Sequence, residues 1–260
     1  MKIRLHVSYD GTGYCGWQRQ AHHGLPSIQE VMEKGLSQLF QQPITLFASG
    51  RTDAGVNALN QVCHFNVDIP ETRLFDRDIC WALRSILPSE ISVRKAWIAP
   101  DDFHATLSAT HKIYRYFIYN HQRSNPFLQR SSAWIRRPLD LESLQASARP
   151  ILGTHDFKSF QSAGTTVVST VRHIRRAEWI RKSPHILQFT IEGDGFLKQM
   201  VRNIIGTQLV LEKEDRPAAD MAEILASLDR KRAYAPAPPQ GLFLWKVFYP
   251  SELDQRCRPI

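Results

Sequence analysis

The order of apolar patterns in the first hundred residues limits the chain to a small set of folds. Alternating apolar residues predict four strands, at 3–9, 44–48, 62–69 and 91–98. Ser27 and Glu30 form a capping box that begins a helix over 28–40, and a second helix is predicted over 74–87. The order strand, helix, strand, strand, helix, strand is that of a ferredoxin-like unit.

The second half repeats this order with insertions. The predicted elements are a strand at 111–120, a helix capped by Asp140, a short strand at 156–160, a hairpin at 171–181 and 186–192, a helix after Gly195, a helix at 219–230 and a strand at 242–249. We therefore predict an α/β (α+β) fold of two tandem ferredoxin- or RRM-like halves with antiparallel sheets. The predicted domains are 1–105 and 106–260, with an active site in the cleft between them.

The charge balance points to a polyanionic partner. The 260 residues include 33 lysines and arginines against 25 acidic residues, a formal net charge of +8, which favours nucleic acid. Basic residues concentrate in the second half, at Arg130, Arg136, Arg137, Arg172, Arg175, Arg176, Arg181 and Lys182. A hairpin with several arginines can track phosphates. The alternative for this cluster is a solvated sheet face.

Cysteine and histidine spacing argues against metal and disulfide frameworks. Cys15, Cys63, Cys80 and Cys257 contain no C-x-x-C pair, and the histidines show no metal spacing. No apolar run approaches the roughly 18 residues that would span a bilayer, and the first residues lack a signal-peptide core. We expect a soluble, cytoplasmic protein in a reducing compartment, with no metal and no membrane contact.

Three glycines after the first strand match a dinucleotide-binding fingerprint. Gly11, Gly13 and Gly16 have the spacing G-x-G-x-x-G. That site needs a helix opening at the third glycine and an acidic residue ending a second strand about 20 residues later. The segment 17–24 is polar and loop-like, and the next acidic residues fall inside a helix. The sequence therefore predicts no dinucleotide site here.

The segment Gly50-Arg51-Thr52-Asp53-Ala54-Gly55 is the strongest candidate for chemistry. Its two glycines permit a constrained loop that presents one carboxylate beside one guanidinium. The alternative is a surface turn with a salt bridge. In the second half, Tyr114 lies on a strand and can pack in the core or stack on a base. Arg202 lies near the apolar stripe of a helix, where it needs an anionic partner such as an aspartate.

Motifs along nearly the whole chain resemble those of the TruA family of tRNA pseudouridine synthases. They are Tyr9-Asp10-Gly11, Gly16-Trp17-Gln18-Arg19-Gln20, Gly50-Arg51-Thr52-Asp53-Ala54-Gly55-Val56, Asp102-Phe103-His104-Ala105, Lys112-Ile113-Tyr114-Arg115-Tyr116, His155-Asp156-Phe157, Gly195-Phe196-Leu197, Met200-Val201-Arg202-Asn203, Ala235-Pro236-Ala237 and Gly241-Leu242. The resemblance implies conversion of uridine to pseudouridine at positions 38, 39 and 40 of the tRNA anticodon stem-loop, by a homodimer without cofactor.

The resemblance also implies a role for each site residue. Asp53 is the nucleophile and Arg202 its ion-pair partner. Arg51 helps to evert the target base or holds the space it leaves. Tyr114 stacks on the uracil, and Leu242 forms part of the apolar pocket wall. We further expect Asp53 to pair mainly with Arg202, leaving Arg51 for the RNA.

The chain departs from the family pattern at four positions. Asn57 stands where the family usually has His, Thr106 where it often has Arg, and Lys198 and Gln199 replace an aromatic and polar pair. None touches Asp53 or Tyr114, so the implied reaction is kept. A non-catalytic tRNA-binding protein on the same scaffold is the competing hypothesis. An aspartate-dependent hydrolase lacks a second carboxylate or a metal cluster near Asp53.

Overall fold

The computed structural model describes residues 1–20, 24–71, 78–164 and 167–260. The chain separates into unit 1, made of Met1–Thr110 with Leu244–Ile260, and unit 2, made of His111–Phe243. Both contain strands and helices, and the mixed α/β class with two tandem halves is confirmed. The sequence placed all of 106–260 in the second domain, whereas the terminal segment groups with unit 1. The domain boundaries themselves stay a prediction.

Unit 1 has the ferredoxin-like element order. Its elements are β1 (Lys2–Tyr9), α1 (Ile28–Phe40), β2 (Phe47–Ala48), β3 (Asn57–Asn66), α2 (Ile79–Arg84) and β4 (Ile91–Ala99). Strand β1 is central and pairs antiparallel with β3 and with β4, while β2 pairs with the far side of β3. The order of the three long strands is therefore β4-β1-β3, and the two-residue β2 pairs with part of β3.

The helices of unit 1 begin where side-chain caps satisfy free backbone N–H groups. The Ser27 hydroxyl accepts from the N–H of Glu30 at 3.1 Å, as the capping box predicted. Asp78 caps α2 by accepting from Trp81 at 3.0 Å. Ile28, Met32 and Leu36 of α1 are fully buried. This apolar stripe closes the core of the unit.

Unit 2 is built around a four-stranded antiparallel sheet in the order β5-β9-β8-β7. Its elements are β5 (His111–Asn120), β6 (Ala133–Ile135), α3 (Leu141–Ala148), β7 (Gly153–Asp156), β8 (Val171–Ser183), β9 (Ile186–Gly193), α4 (Met200–Lys213) and α5 (Ala219–Ala226). Strand β6 pairs in parallel with the end of β5, so the expectation of purely antiparallel pairing is corrected there.

The C-terminal elements return the chain to unit 1. Strand β10 (Leu242–Phe248) begins at the end of unit 2, and helix α6 (Ser251–Gln255) and strand β11 (Arg258–Pro259) follow it. Strand β11 pairs with β4. In α6, Asp254 accepts from the buried Arg4 at 2.5 Å. These contacts explain why the terminal segment belongs with the first half.

Several predicted boundaries are corrected. Strand β3 begins at Asn57 rather than at 62, because Ala58 still pairs with Tyr9 of β1. The predicted strand at 156–160 is wrong beyond its first residue: the Asp156 carboxylate accepts from the N–H of Lys158 at 2.9 Å, which turns the chain into a 3-10 helix. The predicted helix at 219–230 ends at Ala226, shortly before Leu228, which has a φ of +54°.

The remaining helix boundaries differ less. The helix predicted over 74–87 is observed as α2, and its predicted first residues lie outside the part of the chain that the structure describes. The helix expected after Gly195 begins at Met200, preceded by Gln199 with a φ of +59°. Strand β2 covers only the end of the predicted 44–48 strand. None of the described helices is both long and apolar enough to cross a bilayer.

Candidate active site

The candidate catalytic loop connects β2 to β3 in unit 1. Within it Thr52 is buried, Asp53 is half-buried and Arg51 is exposed. The N–H of Val56 donates to the carbonyl of Asp53 at 3.1 Å, closing a turn through Gly55, which has a φ of +74°. A residue with a side chain rarely adopts that conformation. The constrained loop predicted from the glycines is therefore present.

Buried side chains hold this loop from beneath. The hydroxyls of Thr52 and Tyr9 lie 2.8 Å apart. The Ser49 hydroxyl donates to the side-chain oxygen of Gln61 at 2.6 Å, and the Gln61 amide donates to the carbonyl of Gly50 at 2.8 Å. Because all four side chains are buried, these bonds do not compete with water. They fix the backbone on the N-terminal side of Asp53.

The glycine-rich segment after β1 packs directly against the catalytic loop. A Cβ on Gly11 would lie 2.1 Å from the carbonyl oxygen of Val56, and one on Gly16 would lie 2.6 Å from that of Thr52. The N–H of Trp17 donates to the carbonyl of Thr52 at 3.1 Å. These glycines thus permit close approach to the loop that carries Asp53.

Asn57 has a role despite departing from the family pattern. It is buried, and its side-chain oxygen accepts from the N–H of Gly11 at 2.8 Å. The bond ties the first residue of β3 to the glycine-rich segment. Asn57 therefore forms a clamp at the C-terminal end of the catalytic loop.

A second loop of unit 1, at 103–108, is anchored to β2 and β3. The Thr106 hydroxyl donates to the carbonyl of Ala48 at 2.6 Å, and the N–H of Ala105 donates to Nδ1 of His64 at 3.2 Å. Burial and, secondarily, the positive charges of His104 and Lys2 lower the pKa of His64 to about 4. His64 is therefore neutral at physiological pH and remains an acceptor.

In unit 2, Tyr114 lies on β5 with its ring against Phe196. It pairs in register with Ile191, is almost fully buried, and meets the Phe196 ring edge-on with 5.1 Å between centroids. Lys112 lies two residues earlier on the same face. Burial lowers the pKa of Lys112 to about 8, and the charge of Arg172 contributes to the shift.

Arg202 is fixed at the start of α4 by the segment 235–241. Its Nε donates to the carbonyl of Ala237 at 2.8 Å, and the N–H of Ala237 donates back to the carbonyl of Arg202 at 2.9 Å. Gly206 permits this crossing, since a Cβ there would lie 1.9 Å from the carbonyl oxygen of Ala235. Arg202 itself is 9% exposed. Its backbone lies in a helix, and its guanidinium is held by a carbonyl of the irregular segment 235–238.

The same segment reaches Tyr116 and Leu242. The Tyr116 hydroxyl donates to the carbonyl of Pro238 at 2.9 Å, and a Cβ on Gly241 would lie 2.7 Å from the Tyr116 ring. Leu242 follows directly and is buried. Strand β5 and segment 235–241 therefore position Leu242.

The two remaining departures, Lys198 and Gln199, secure the start of α4. The Lys198 ammonium donates to the carbonyl of Ala163 at 3.0 Å. The Ser162 hydroxyl donates to the side-chain oxygen of Gln199 at 2.6 Å. Both bonds tie residues 162–163 to the turn before the helix.

The candidate residues divide between the units. Arg51 and Asp53 belong to unit 1, whereas Tyr114, Arg202 and Leu242 belong to unit 2. The expected ion pair between Asp53 and Arg202 joins the two units and stays a prediction. Within the described ranges no cluster of three or more His, Cys, Asp or Glu side chains forms a metal-binding group.

Only some basic side chains of the β8–β9 hairpin are available to contact phosphates. Arg175, Arg181 and Lys182 are exposed, whereas Arg176 pairs with Glu178 and Arg172 donates to the carbonyl of Ser169 at 2.9 Å. Arg137 also has a partner, because its guanidinium pairs with Glu212. On this hairpin, the predicted phosphate-binding residues are therefore limited to the exposed Arg175, Arg181 and Lys182.

Sequence reasoning missed the residues that support the catalytic loop. Tyr9, Thr52, Asn57 and Gln61 are all buried in unit 1. Gln61 gave one usable signal, because a glutamine inside an apolar strand requires a buried partner. Nothing in the linear pattern indicated that this partner would be Ser49 and the catalytic loop.

The chain is similar to known proteins along most of its length. A family model described as tRNA pseudouridine synthase matches residues 5–106 and 148–250. The tRNA pseudouridine synthase A of Bdellovibrio bacteriovorus is 56% identical over 98% of this chain and 98% of its own length. The protein of that name from Escherichia coli K12 is 40% identical over 97% of this chain and 92% of its own length. The chain belongs to the tRNA pseudouridine synthase family.

Proposed function

We propose that this protein isomerises uridine to pseudouridine at positions 38, 39 and 40 of the tRNA anticodon stem-loop, with Asp53 as nucleophile. The observation that carries the proposal is the construction of the loop. A half-buried carboxylate sits on a turn whose neighbours Thr52 and Gly50 are held by buried hydrogen bonds. Such preorganisation suits a nucleophile that must approach one face of a base.

The reaction requires only groups that this chain supplies. The bond between C1′ and N1 breaks and a bond between C1′ and C5 forms. The C5 proton leaves to solvent, and N1 takes up a proton from solvent, so the product is an isomer of the substrate. A carboxylate can form and release an adduct at C6 of the base or at C1′ of the sugar. An ordinary aspartate, with a pKa of about 3.9, is ionised at neutral pH. No redox agent, metal or external donor enters the balance, so we propose that no cofactor is used.

Arg202 is proposed to keep the Asp53 carboxylate ionised in a dry pocket. Burial alone raises the pKa of a carboxyl group, and a neighbouring guanidinium opposes that shift. The Nε of Arg202 is committed to the carbonyl of Ala237. Its two terminal nitrogens are the atoms proposed to face Asp53.

Arg51, Tyr114 and Leu242 are proposed to handle the everted base. The target uridine must leave its stack, at a cost of roughly a few kcal/mol that stacking and pocket contacts recover. Tyr114, held by Phe196, would stack on the uracil, and Leu242 would line the apolar wall. Arg51 is exposed and would occupy the space that the base leaves. We also propose that the enzyme acts as a homodimer in the cytoplasm, with its active site in the cleft between the halves.

Release of tritium from C5 of uridine tests the proposal. With tRNA labelled at this position, wild type is expected to release label, and Asp53→Ala is expected to reduce release by at least about 10³-fold because the nucleophile is lost. Asp68→Ala, which removes an exposed carboxylate of the same unit, serves as the matched control. Undiminished release from Asp53→Ala would remove Asp53 as the nucleophile.

Measuring tRNA binding with the same samples distinguishes the proposed enzyme from the competing hypothesis. A wild-type protein that binds tRNA but releases no label would be a non-catalytic tRNA-binding protein. Sequencing the product for pseudouridine at 38, 39 and 40 tests the positions independently of the residue assignments.

A further inference from the structure

The chain makes an ordered excursion between β5 and β6 that the proposed mechanism does not use. It leaves the sheet at His121, passes through a 3-10 turn at Pro126–Leu128 and returns to pair with β5 through Ala133–Ile135. We call residues 121–137, together with the hairpin turn 181–185, the arginine-aromatic surface. Both segments belong to unit 2.

Hydrogen bonds hold the excursion in one conformation. The Asn125 side chain accepts from the N–H of Phe127 at 3.0 Å, which caps the 3-10 turn. The Trp134 indole donates to the carbonyl of His121 at 2.8 Å, and the Asn120 amide donates to the carbonyl of Ile135 at 3.0 Å. The excursion is therefore an ordered projection with a defined conformation.

The projection turns two large aromatic side chains toward solvent. Phe127 is 93% exposed and Trp134 is 48% exposed. A phenylalanine at the tip of a capped turn contributes almost no apolar burial to the fold. Such a ring is available for stacking on a nucleobase, and stacking of this kind does not depend on the identity of the base.

The charged side chains that the two segments themselves contribute are all basic, although Arg137 is paired with Glu212. No aspartate or glutamate occurs at 121–139 or at 179–191. The exposed basic side chains are those of Arg123, Arg130, Arg136, Arg181 and Lys182. The His121 and His185 rings lie 4.7 Å apart between the two segments. Exposed aromatic rings among exposed arginines are typical of an RNA-binding surface.

The surface lies well away from Tyr114. Seven residues of strand β5 separate Tyr114 from His121, and an extended strand rises about 3.3 Å per residue, so the distance along the strand is about 23 Å. A contact there lies beyond the everted nucleotide and its immediate neighbours. It can add affinity without taking part in the reaction.

We propose that the arginine-aromatic surface binds the body of the tRNA beyond the anticodon stem-loop, with the arginines on phosphates and Phe127 stacked on a base. The inference rests on the proposed function for the identity of the RNA. It assigns to this surface affinity for full-length tRNA, and no part in the chemistry at the target uridine.

The test compares full-length tRNA with an anticodon stem-loop fragment. For the triple variant Phe127→Ala, Arg123→Ala, Arg136→Ala, we expect KM and Kd for full-length tRNA to rise at least about tenfold. The slope of log K against log salt should fall by about two, one for each arginine removed. We expect kcat to stay unchanged, and the Kd of the fragment to match that of wild type.

The matched control removes equivalent side chains from unit 1. Trp81→Ala, Arg84→Ala, Arg94→Ala also deletes one exposed aromatic ring and two exposed arginines, and circular dichroism checks that both proteins fold. Unchanged affinity and salt slope in the first variant would overturn the inference. So would a shift in the sedimentation of the protein alone, which would make the surface a subunit contact. If wild type releases no tritium while the first variant still loses tRNA affinity, the proposed function fails and this inference stands.

Discussion

The two units hold their candidate residues by different means. In unit 2, Tyr114 lies within a strand and Arg202 within a helix, so backbone hydrogen bonds of regular elements fix both positions. In unit 1, Asp53 lies on a turn between β2 and β3, where no ladder runs through the loop. Its position depends on a few buried side chains, chiefly Tyr9, Asn57 and Gln61.

Because of this difference, substitutions in the two units should affect stability and activity to different degrees. A strand or helix residue moves only when its element moves, so damage to its surroundings appears first as lost stability. A loop carboxylate can shift by a fraction of an ångström while the fold persists, and misplacement of about 1 Å can cost on the order of 100-fold in rate. Substitutions beneath the Asp53 loop should therefore reduce activity more than stability, and those in unit 2 should do the reverse.

Among the residues that support the catalytic loop, the largest loss of activity is expected from Gly11→Ala. The added Cβ would meet the carbonyl oxygen of Val56 at 2.1 Å and push the C-terminal end of the catalytic loop outward. We expect the free energy of unfolding to fall by about 1–3 kcal/mol, as for other overpacked sites. Tritium release should fall by at least about 100-fold, measured in single-turnover assays at saturating tRNA.

Two further glycine variants sharpen this result. A Cβ on Gly13 meets no atom within 4 Å, so Gly13→Ala adds only backbone strain and should retain most activity. Gly206→Ala would meet the carbonyl of Ala235 at 1.9 Å and should destabilise at least as much as Gly11→Ala. If Gly11→Ala keeps wild-type turnover, the glycine-rich segment does not position Asp53.

A smaller effect is expected from Thr52→Val, which keeps the shape of the side chain but removes its hydroxyl. The buried Tyr9 hydroxyl then loses its partner at 2.8 Å and keeps only Gln61 within reach. We expect a loss of about 1 kcal/mol in unfolding free energy and a fall of about tenfold in kcat. Urea unfolding and tritium release measure the two quantities.

The matched variant in unit 2 is Tyr116→Phe. It removes a hydroxyl that donates to the carbonyl of Pro238, and it should cost similar stability with less change in kcat. Tyr9→Phe combined with Thr52→Val should regain part of the lost stability, because the buried hydroxyl that had lost the Thr52 partner is then absent. Equal kcat losses at Thr52 and Tyr116 would contradict the contrast between the units.

The sequence predicted what depends on periodicity and local caps. The strands at 3–9, 91–98 and 111–120 and the helix after Ser27 agree with the structure to within a residue. Short or irregular elements were lost: β6, α6 and β11 have too few residues to show a period. The return of the chain to unit 1 depends on pairs such as Arg4 with Asp254, which are 250 residues apart.

The sequence supplied a set of candidate site residues, which stay a prediction, but it did not show how the loop that carries Asp53 is held. Glycines at 50 and 55 indicated a constrained loop, and the resemblance supplied roles for its residues. The supports of the loop come from three separate stretches, around Tyr9, Gly16 and Gln61. A buried hydrogen bond between two such stretches leaves no periodic trace in either of them.

The last effect concerns the pH dependence of stability, and it arises from the second loop of unit 1. The pKa of His64 is lowered by burial to about 4 in the fold, against about 6.5 for an exposed histidine. The unfolded chain therefore binds more protons between these values, so stability is complete above about pH 6.5 and falls as the pH drops toward 4. Below that range His64 is charged, and its Nδ1 can no longer accept from the N–H of Ala105.

His64→Asn tests this assignment, because an asparagine oxygen can accept the same bond without titrating. The variant should show a shallower loss of unfolding free energy between pH 6.5 and 4, measured by urea unfolding at several pH values. Part of the slope should remain, because burial also lowers the pKa of His6 to about 3. A pH profile identical to wild type would show that His64 does not carry the effect, and the 103–108 loop would then be held mainly through Thr106 and Ala48.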